Sequence, residues 1–216
     1  MLFNLSERDS IANQFLSELR DKNLQQDRMR FRRNVERLGE IMAYEVSKML
    51  PYQTTLVETS LGESAVNVLA EQPVLITILR AGIPYFQGFI NVFDKADAGF
   101  VGAFRKENGN QQELTIKLDY LVTPKLDQRI VILIDPMLAT GKSALDTVKA
   151  LAPYGKPKQV HIVSLIAASE GIDYLKKNLT LPYTLWTCVV DEKLNQQFYI
   201  VPGLGDAGDL SYGVKI

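Results

Sequence analysis

The chain has 216 residues, 46% of them hydrophobic and 23% charged, which is an ordinary globular balance. The formal net charge of −1 excludes an overall field that attracts nucleic acid or an anionic membrane, so an anionic ligand must be held by local geometry. The single cysteine, Cys188, excludes an intramolecular disulfide, and no apolar run approaches the roughly 18 residues of a membrane span. We therefore expect a cytoplasmic protein that binds neither nucleic acid nor membranes.

The first 50 residues form the predicted helical part of a single domain spanning residues 1–216. Apolar residues recur at helical spacing over residues 27–50, and Pro51 ends the pattern. The same helix carries five arginines, which are Arg28, Arg30, Arg32, Arg33 and Arg37. They are typical of a solvated polar face. The alternative is that one of them reaches a neighbouring subunit.

Beyond this helix, strand and helix patterns alternate. The continuous apolar run at residues 73–79 predicts a buried parallel strand. Further strands are predicted at residues 54–58 (an edge strand), 99–104, 111–121, 129–135, 160–168 and 183–190, and helices at residues 84–93, 143–151 and 170–177. The alternation predicts a parallel sheet with helices on both faces, which binds ligands at the carboxyl ends of its strands.

The segment at residues 130–143 predicts a phosphate site. An apolar strand ends at Asp135, a loop of small residues follows, and a helix begins near Ser143. Backbone N–H groups of such a loop can point into one concavity, and the helix start favours an anion. Hydroxyl groups of Thr140 and Ser143 add donors, and Asp135 is placed to meet the ribose hydroxyls of the same ligand.

Gly141-Lys142-Ser143 also fits the end of a nucleoside-triphosphate P-loop. That motif requires a glycine where this chain has Pro136. Proline has no N–H to offer a phosphate and fixes its own φ. Both properties of Pro136 count against a P-loop, so a P-loop kinase acting on a nucleoside is only an alternative interpretation.

Residues 135–143 (D-P-M-L-A-T-G-K-S) resemble the phosphoribosyl-diphosphate loop of uracil phosphoribosyltransferases. Residues 78–82 (I-L-R-A-G) resemble the diphosphate loop of that family, and residues 199–209 (Y-I-V-P-G-L-G-D-A-G-D) resemble its uracil-binding segment. The chain departs from the family pattern where Lys142 replaces a glycine, at residues 83–86, and at residues 212–214. The resemblance extends from about residue 31 to the C-terminus.

This resemblance implies a type I phosphoribosyltransferase-like fold: a mostly parallel central sheet with helices on both faces, a β-hairpin flap at residues 102–123 and a C-terminal base-binding segment at residues 199–216. It implies transfer of the phosphoribosyl group from 5-phosphoribosyl 1-diphosphate to uracil, with Mg²⁺ held mainly by substrate and water rather than by protein ligands. A homodimer or larger homo-oligomer is also implied. A non-catalytic regulator that binds a phosphoribosyl ligand, and a transferase for another base, are the remaining alternatives.

The resemblance also assigns site residues. The catalytic candidates are Arg80, Arg105, Asp135 and Asp206. The phosphoribosyl diphosphate-binding candidates are Arg80, Ala81, Gly82, Arg105, Asp135, Pro136, Met137, Leu138, Ala139, Thr140, Gly141, Lys142, Ser143 and Asp206. The uracil-binding candidates are Tyr199, Ile200, Gly205, Asp206 and Ala207. We interpret Cys188 and the lone histidine, His161, as structural residues of buried strands.

Overall fold

The computed structural model describes residues 1–106 and 115–215, with the backbone alone at residues 103–106 and 115–119. The helices of the described residues are α1 (Ile11–Arg20), α2 (Arg28–Ser47), α3 (Ile83–Val92), α4 (Lys142–Ala150), α5 (Ser169–Asn178) and α6 (Ala207–Tyr212). The strands are β1 (Leu2–Asn4), β2 (Tyr52–Thr59), β3 (Gly62–Leu69), β4 (Val74–Leu79), β5 (Asp97–Lys106), β6 (Thr115–Val122), β7 (Ile130–Ile134), β8 (Met137–Leu138), β9 (Gln159–Ala168), β10 (Tyr183–Asp191), β11 (Lys193–Leu194) and β12 (Ile200–Val201).

A central sheet organises the molecule, with strand order β1-β10-β9-β7-β4-β5-β6 and β8 paired to β9. Every neighbouring pair is parallel except β5 and β6, which are antiparallel. The mostly parallel sheet predicted from the sequence is therefore confirmed. The predicted hairpin at residues 102–123 corresponds to β5 and β6, and residues 107–114, which include the start of the strand predicted at residues 111–121, lie outside the described residues.

Side chains of the central strands point alternately to the two faces of the sheet, and helices cover both faces. On one face, Ile132 belongs to a core that includes Phe31 of α2 and Phe89 of α3. On the other face, Leu133 belongs to a second core that includes Leu145 of α4. Because both faces are buried, β7 consists of apolar residues throughout.

The long N-terminal helix begins where the sequence predicted. Asp27 caps α2, and its Oδ1 atom accepts hydrogen bonds from the backbone N–H groups of Met29 and Arg30, both at 3.0 Å. Buried apolar residues then recur every three or four positions and face the sheet, as in Val35 and Leu38. Helical geometry ends at Ser47, three residues before the predicted end.

Three of the strands differ from the sequence-based prediction. The predicted edge strand at residues 54–58 belongs to β2, which pairs antiparallel with β3 in a separate two-stranded sheet rather than at an edge of the central one. The sequence did not predict β3, nor β1, which adds a parallel strand beside β10. The ring of Phe3 in β1 stacks on Trp186 of β10 with centroids 4.2 Å apart.

Chain order reverses beside β4, and this position defines the candidate site. The chain runs from β4 outward to β5 and β6 and then returns to β7 on the other side of β4. Loops that leave β4 and β7 therefore diverge from a crevice at the carboxyl ends of the strands, which is where open parallel sheets bind ligands. Among the described residues, none of the helices is long and apolar enough to cross a membrane.

Candidate functional site

The loop after β4 and the loop after β7 lie side by side. A Cβ atom added to Gly82 would stand 2.2 Å from Thr77 Oγ1, 2.5 Å from the Ile78 carbonyl oxygen and 3.3 Å from the Ile134 carbonyl oxygen. The hydroxyl of Thr77 donates a hydrogen bond to that same Ile134 oxygen at 3.3 Å. Only glycine fits at this position, and it allows residues 80–82 to approach Asp135 closely.

Asp135 and the residues after it form an ordered corner rather than a simple turn. The Met137 N–H donates to Asp135 Oδ1 at 3.2 Å. The Pro136 carbonyl oxygen accepts hydrogen bonds from Leu165 and Ile166, at 3.0 and 3.1 Å. Met137 and Leu138 then pair with β9 as the short strand β8. The corner is therefore held on the central sheet by backbone hydrogen bonds.

Close packing against α5 fixes the second half of this loop. A Cβ atom on Gly171 would lie 2.3 Å from the Ala139 carbonyl oxygen, and one on Gly141 would lie 2.7 Å from the Gly171 carbonyl oxygen. Gly141 also has a φ of +75°, which favours glycine. The loop can therefore approach α5 only because two glycines meet there.

The helix after the loop begins one residue earlier than predicted. Gly141 is the N-cap of α4, so Ser143 is the second helical residue. Thr140 Oγ1 accepts a hydrogen bond from the Lys142 N–H at 3.4 Å. The first N–H groups of a helix have no acceptor within it, and the helix dipole adds partial positive charge there. This end of α4 therefore has the donors that a phosphate group requires.

Arg80 connects the loop after β4 to the C-terminal segment. Its Nη2 atom donates to Asp209 Oδ1 and to the Gly213 carbonyl oxygen, both at 2.7 Å. The Arg80 side chain is 38% exposed, so the guanidinium still faces solvent. Sequence reasoning missed Asp209, although it closes the 199–209 motif and is a charged residue in a glycine-rich stretch.

The C-terminal segment combines a short strand pair with a helix. Ile200 lies in β12, which pairs with β11, and Tyr199 beside it is 40% exposed. Gly205 has a φ of +95°, and Ala207 is the buried first residue of α6. The sequence predicted tight turns here and did not predict α6. The segment leaves backbone groups at turns, where a ligand can reach them.

Asp206 caps α6 and carries negative charge. Its Oδ1 atom accepts a hydrogen bond from the Asp209 N–H at 2.9 Å, and Lys215 Nζ lies 3.3 Å from Oδ2. Burial by itself raises the pKa of Asp206. The Asp209 N–H and the charge of Lys215 outweigh burial, so the pKa of Asp206 lies below its usual value. The carboxylate is therefore ionised at neutral pH.

A cleft of about 880 Å³ borders this segment. Its walls include Arg28 and Arg32 at the start of α2, and Gly205, Asp206 and Leu210 from the C-terminal segment. Part of the predicted polar face of α2 therefore faces the C-terminal segment across this cleft.

The remaining predicted residues separate into two groups. The backbone of Arg105 lies in β5 opposite Ile116, but its side chain lies outside the described part of the structure. Cys188 and His161 are buried, as predicted. Burial raises the pKa of the Cys188 thiol to about 12 and lowers the pKa of His161 to about 4. His161 accepts a hydrogen bond from Trp186 Nε1 at 3.0 Å, which fits a structural role.

The structure brings the three predicted segments to one edge of the sheet. Gly82 places residues 80–82 against the end of β7, and Arg80 bonds to the C-terminal segment. Within residues 1–106 and 115–215, no three His, Cys, Asp or Glu side chains form a group able to hold a metal ion. The edge can therefore offer an anion-binding helix start, a cationic guanidinium and backbone hydrogen-bonding groups together.

Comparison with known proteins identifies the family. The model of the family described as uracil phosphoribosyltransferase matches residues 6–214. A curated relative with that name from Porphyromonas gingivalis is 44% identical over 215 residues, covering 100% of this chain and 99% of the relative. Another from Pyrococcus furiosus is 37% identical over 206 residues, covering 94% of this chain and 86% of the relative.

Comparison with solved structures gives a match over the full length of the chain. A solved protein structure from Aquifex aeolicus is 30% identical and matches with a TM-score of 0.87, covering 100% of both chains. The family match thus includes the loops after β4 and β7 and the C-terminal segment that meet at one sheet edge. The chain belongs to the uracil phosphoribosyltransferase family.

Proposed function

We propose that this chain transfers the 5-phosphoribosyl group from 5-phosphoribosyl 1-diphosphate to uracil, which gives UMP and diphosphate. One observation carries the proposal: the loops after β4 and β7 and the C-terminal segment meet at one edge of the sheet in a chain of this family. Each segment supplies the chemistry that one part of the two substrates needs. The whole chain acts as one domain in this proposal.

The 5-phosphate binds at the start of α4. Backbone N–H groups of residues 139–143 and the hydroxyls of Thr140 and Ser143 surround it, and the α4 dipole favours its charge. Asp135 stands at the end of β7 next to this loop, where its carboxylate accepts hydrogen bonds from the ribose hydroxyls. Lys142, which is half-buried, is the cation nearest in sequence to the phosphate.

The diphosphate binds beside residues 80–82. The planar donors of Arg80 suit phosphate oxygens, and the backbone at Ala81 and Gly82 allows close approach. Arg105 supplies a second guanidinium from β5. The site residues are compatible with Mg²⁺, because the carboxylates of Asp135 and Asp206 offer the oxygen ligands that this ion prefers. Among the described residues no larger cluster of acidic side chains could hold the ion, so substrate phosphates and water would supply most of its ligands. Mg²⁺ would neutralise charge on the diphosphate.

Uracil binds to the C-terminal segment. Its edge presents two carbonyl groups and an N–H, which backbone groups of Ile200, Gly205 and Ala207 complement, with Tyr199 beside them. Cytosine presents an amino group where uracil presents a carbonyl, which leaves a buried donor unmatched. Such a mismatch costs about 1–3 kcal/mol, enough for the segment to select uracil.

The reaction breaks the bond between ribose C1 and the diphosphate oxygen, forms a bond from C1 to uracil N1, and releases the N1 proton to the departing diphosphate or to water. Positive charge grows on the sugar ring while negative charge grows on the leaving diphosphate. Asp206, which is ionised, and Asp135 stabilise the first, and Arg80 and Arg105 stabilise the second. Holding both substrates in line at one sheet edge supplies the rest of the acceleration.

The assay is spectrophotometric and uses purified protein with uracil, 5-phosphoribosyl 1-diphosphate and Mg²⁺. The proposal predicts UMP and diphosphate in equal amounts, and strong loss of turnover in the folded variants Arg80→Ala and Asp206→Asn. ATP with uridine is the control for nucleoside kinase activity. Near-normal turnover in both variants contradicts the site assignments, and UMP formed only from ATP and uridine contradicts the function.

The proposal includes a cytoplasmic enzyme that works as a homodimer or a larger homo-oligomer on small-molecule substrates, without nucleic acid or membrane partners. Sedimentation of the purified protein tests its oligomeric state.

A further inference from the structure

An ion pair outside the proposed substrate contacts holds the C-terminal segment at its start. Arg20 is the last residue of α1, and Asp191 is the last residue of β10. The two side chains meet through two contacts, Nη2 to Oδ1 at 2.8 Å and Nη1 to Oδ2 at 3.1 Å. The Asp191 side chain is 5% exposed and that of Arg20 22% exposed, so the pair is largely removed from water.

Both members of this pair also bond to the backbone of Gly203. The Gly203 N–H donates to Asp191 Oδ2 at 2.8 Å, and the Gly203 carbonyl oxygen accepts from Arg20 Nη1 at 3.4 Å. Gly203 has a φ of +58°, and a Cβ atom there would lie 2.2 Å from the Ile200 carbonyl oxygen. The ion pair thus holds one tightly turned residue through both of its backbone polar groups.

The contact between the ion pair and Gly203 matters because of where Gly203 lies in the C-terminal segment. Gly203 lies between Ile200 and Gly205, whose backbone groups are proposed to bind uracil. Burying an ion pair costs desolvation energy, and well-packed apolar residues often stabilise a fold as well or better. An ion pair that also hydrogen-bonds to one backbone residue instead fixes the backbone conformation at that residue, because its hydrogen bonds have defined directions.

We propose that Arg20 and Asp191 are positioning residues for the pyrimidine base, and this inference rests on the proposed function. They set the backbone at Gly203, so that the N–H and C=O groups of the following turn face the edge of uracil. Neither side chain touches a substrate. Loosening the pair should therefore weaken uracil binding and leave the phosphate end of the site in place.

The test compares Arg20→Met and Asp191→Asn with wild type in steady-state kinetics, with each substrate varied in turn. We expect the KM for uracil to rise by roughly tenfold, the effect of one lost charged hydrogen bond, and the KM for 5-phosphoribosyl 1-diphosphate to change by less than about twofold. Arg20→Lys keeps the charge but lacks the planar fork, so it should restore part of the loss. Arg129→Met is the matched control, because Arg129 pairs with Asp97 at 3.0 Å at the opposite end of the sheet.

Hydrogen exchange of the free protein supplies a readout without substrates. Urea unfolding first establishes that each variant is folded. In folded Arg20→Met, the backbone N–H groups of residues 200–207 should exchange faster than in wild type, whereas those of β7 should not. Equal rises in both KM values, an unchanged KM for uracil, or unchanged exchange at residues 200–207 would overturn the inference. If wild type makes no UMP, the proposed function fails and the role toward uracil fails with it, while the exchange result still decides whether the pair sets the backbone of residues 200–207.

Discussion

Gly171→Ala offers the sharpest test of how the proposed phosphate loop is built. Gly171 is the third residue of α5, where alanine would ordinarily stabilise the helix by about 0.5–1 kcal/mol relative to glycine. Here the new Cβ atom would stand 2.3 Å from the Ala139 carbonyl oxygen and 3.1 Å from the Leu138 carbonyl oxygen. Both are backbone atoms of the loop, so no side-chain rotation relieves the clash.

The size of the effect follows from these distances. An ordinary contact begins near 3.4 Å, so the loop must move away from α5 by about 1 Å. Inserting a methyl group into a packed site costs about 1–3 kcal/mol, which exceeds the gain in helix propensity. A displacement of about 1 Å at a reacting group can lower a rate on the order of 100-fold. We expect modest destabilisation and a far larger loss of kcat/KM for 5-phosphoribosyl 1-diphosphate.

The control variant Gly155→Ala separates a loss of stability from a loss of activity. Gly155 lies before β9 at the opposite end of the sheet, has a φ of +126°, and a Cβ atom there would stand 2.6 Å from the Asp127 backbone nitrogen. It should lower the free energy of unfolding by about 1–3 kcal/mol, with kcat/KM changed by less than about twofold. Urea unfolding and steady-state kinetics measure both variants. Wild-type kinetics in Gly171→Ala would refute the argument that α5 sets the loop position.

Three further predictions concern charge and the metal. Asp209→Asn should lower kcat/KM by roughly tenfold, because Arg80 loses the carboxylate that orients it. The control variant Asp173→Asn, which removes an exposed ion pair with Lys176, should match wild type in the same kinetic assay. His161 has a folded pKa of about 4 against an ordinary value of 6.5, so the stability it contributes is complete above pH 6.5 and is lost as the pH falls through 4. This loss amounts to about 3 kcal/mol, and urea unfolding of His161→Gln should show a correspondingly flatter dependence on pH between 6.5 and 4. Chelation of Mg²⁺ should abolish UMP formation and added Mg²⁺ should restore it; full activity after chelation would contradict the proposed role of the metal.

The sequence predicted most of the central sheet because its strands carry their signal locally. Residues 73–79 are almost entirely apolar and residues 130–134 are a continuous apolar run, as a strand buried on both faces requires. In contrast, β3 is almost entirely exposed, and Glu63, Ser64 and Asn67 interrupt its apolar residues, so its apolar pattern is weak. β1 has three residues and exists through its pairing with β10, a contact that no local pattern reveals.

In the candidate site, too, local motifs could be predicted from the sequence and long-range contacts could not. Each of the motifs at residues 78–82, 135–143 and 199–209 is contiguous in sequence, so the proposed site residues could be selected from the sequence alone. The contacts that arrange them span long separations, from Arg80 to Asp209 and from Arg20 to Asp191. These pairs become visible only when the fold brings α1, β4, β10 and α6 together. Glycine-rich composition likewise concealed α6, whose cap is Asp206.

A crystal structure of the protein with bound UMP and diphosphate is the most direct test of the proposed site. We expect the 5-phosphate at residues 139–143, the diphosphate within hydrogen-bond distance of Arg80, and the uracil ring against the backbone of Gly205 and Ala207. UMP bound elsewhere, or with its base at the start of α4 and its phosphate at the C-terminal segment, would contradict it.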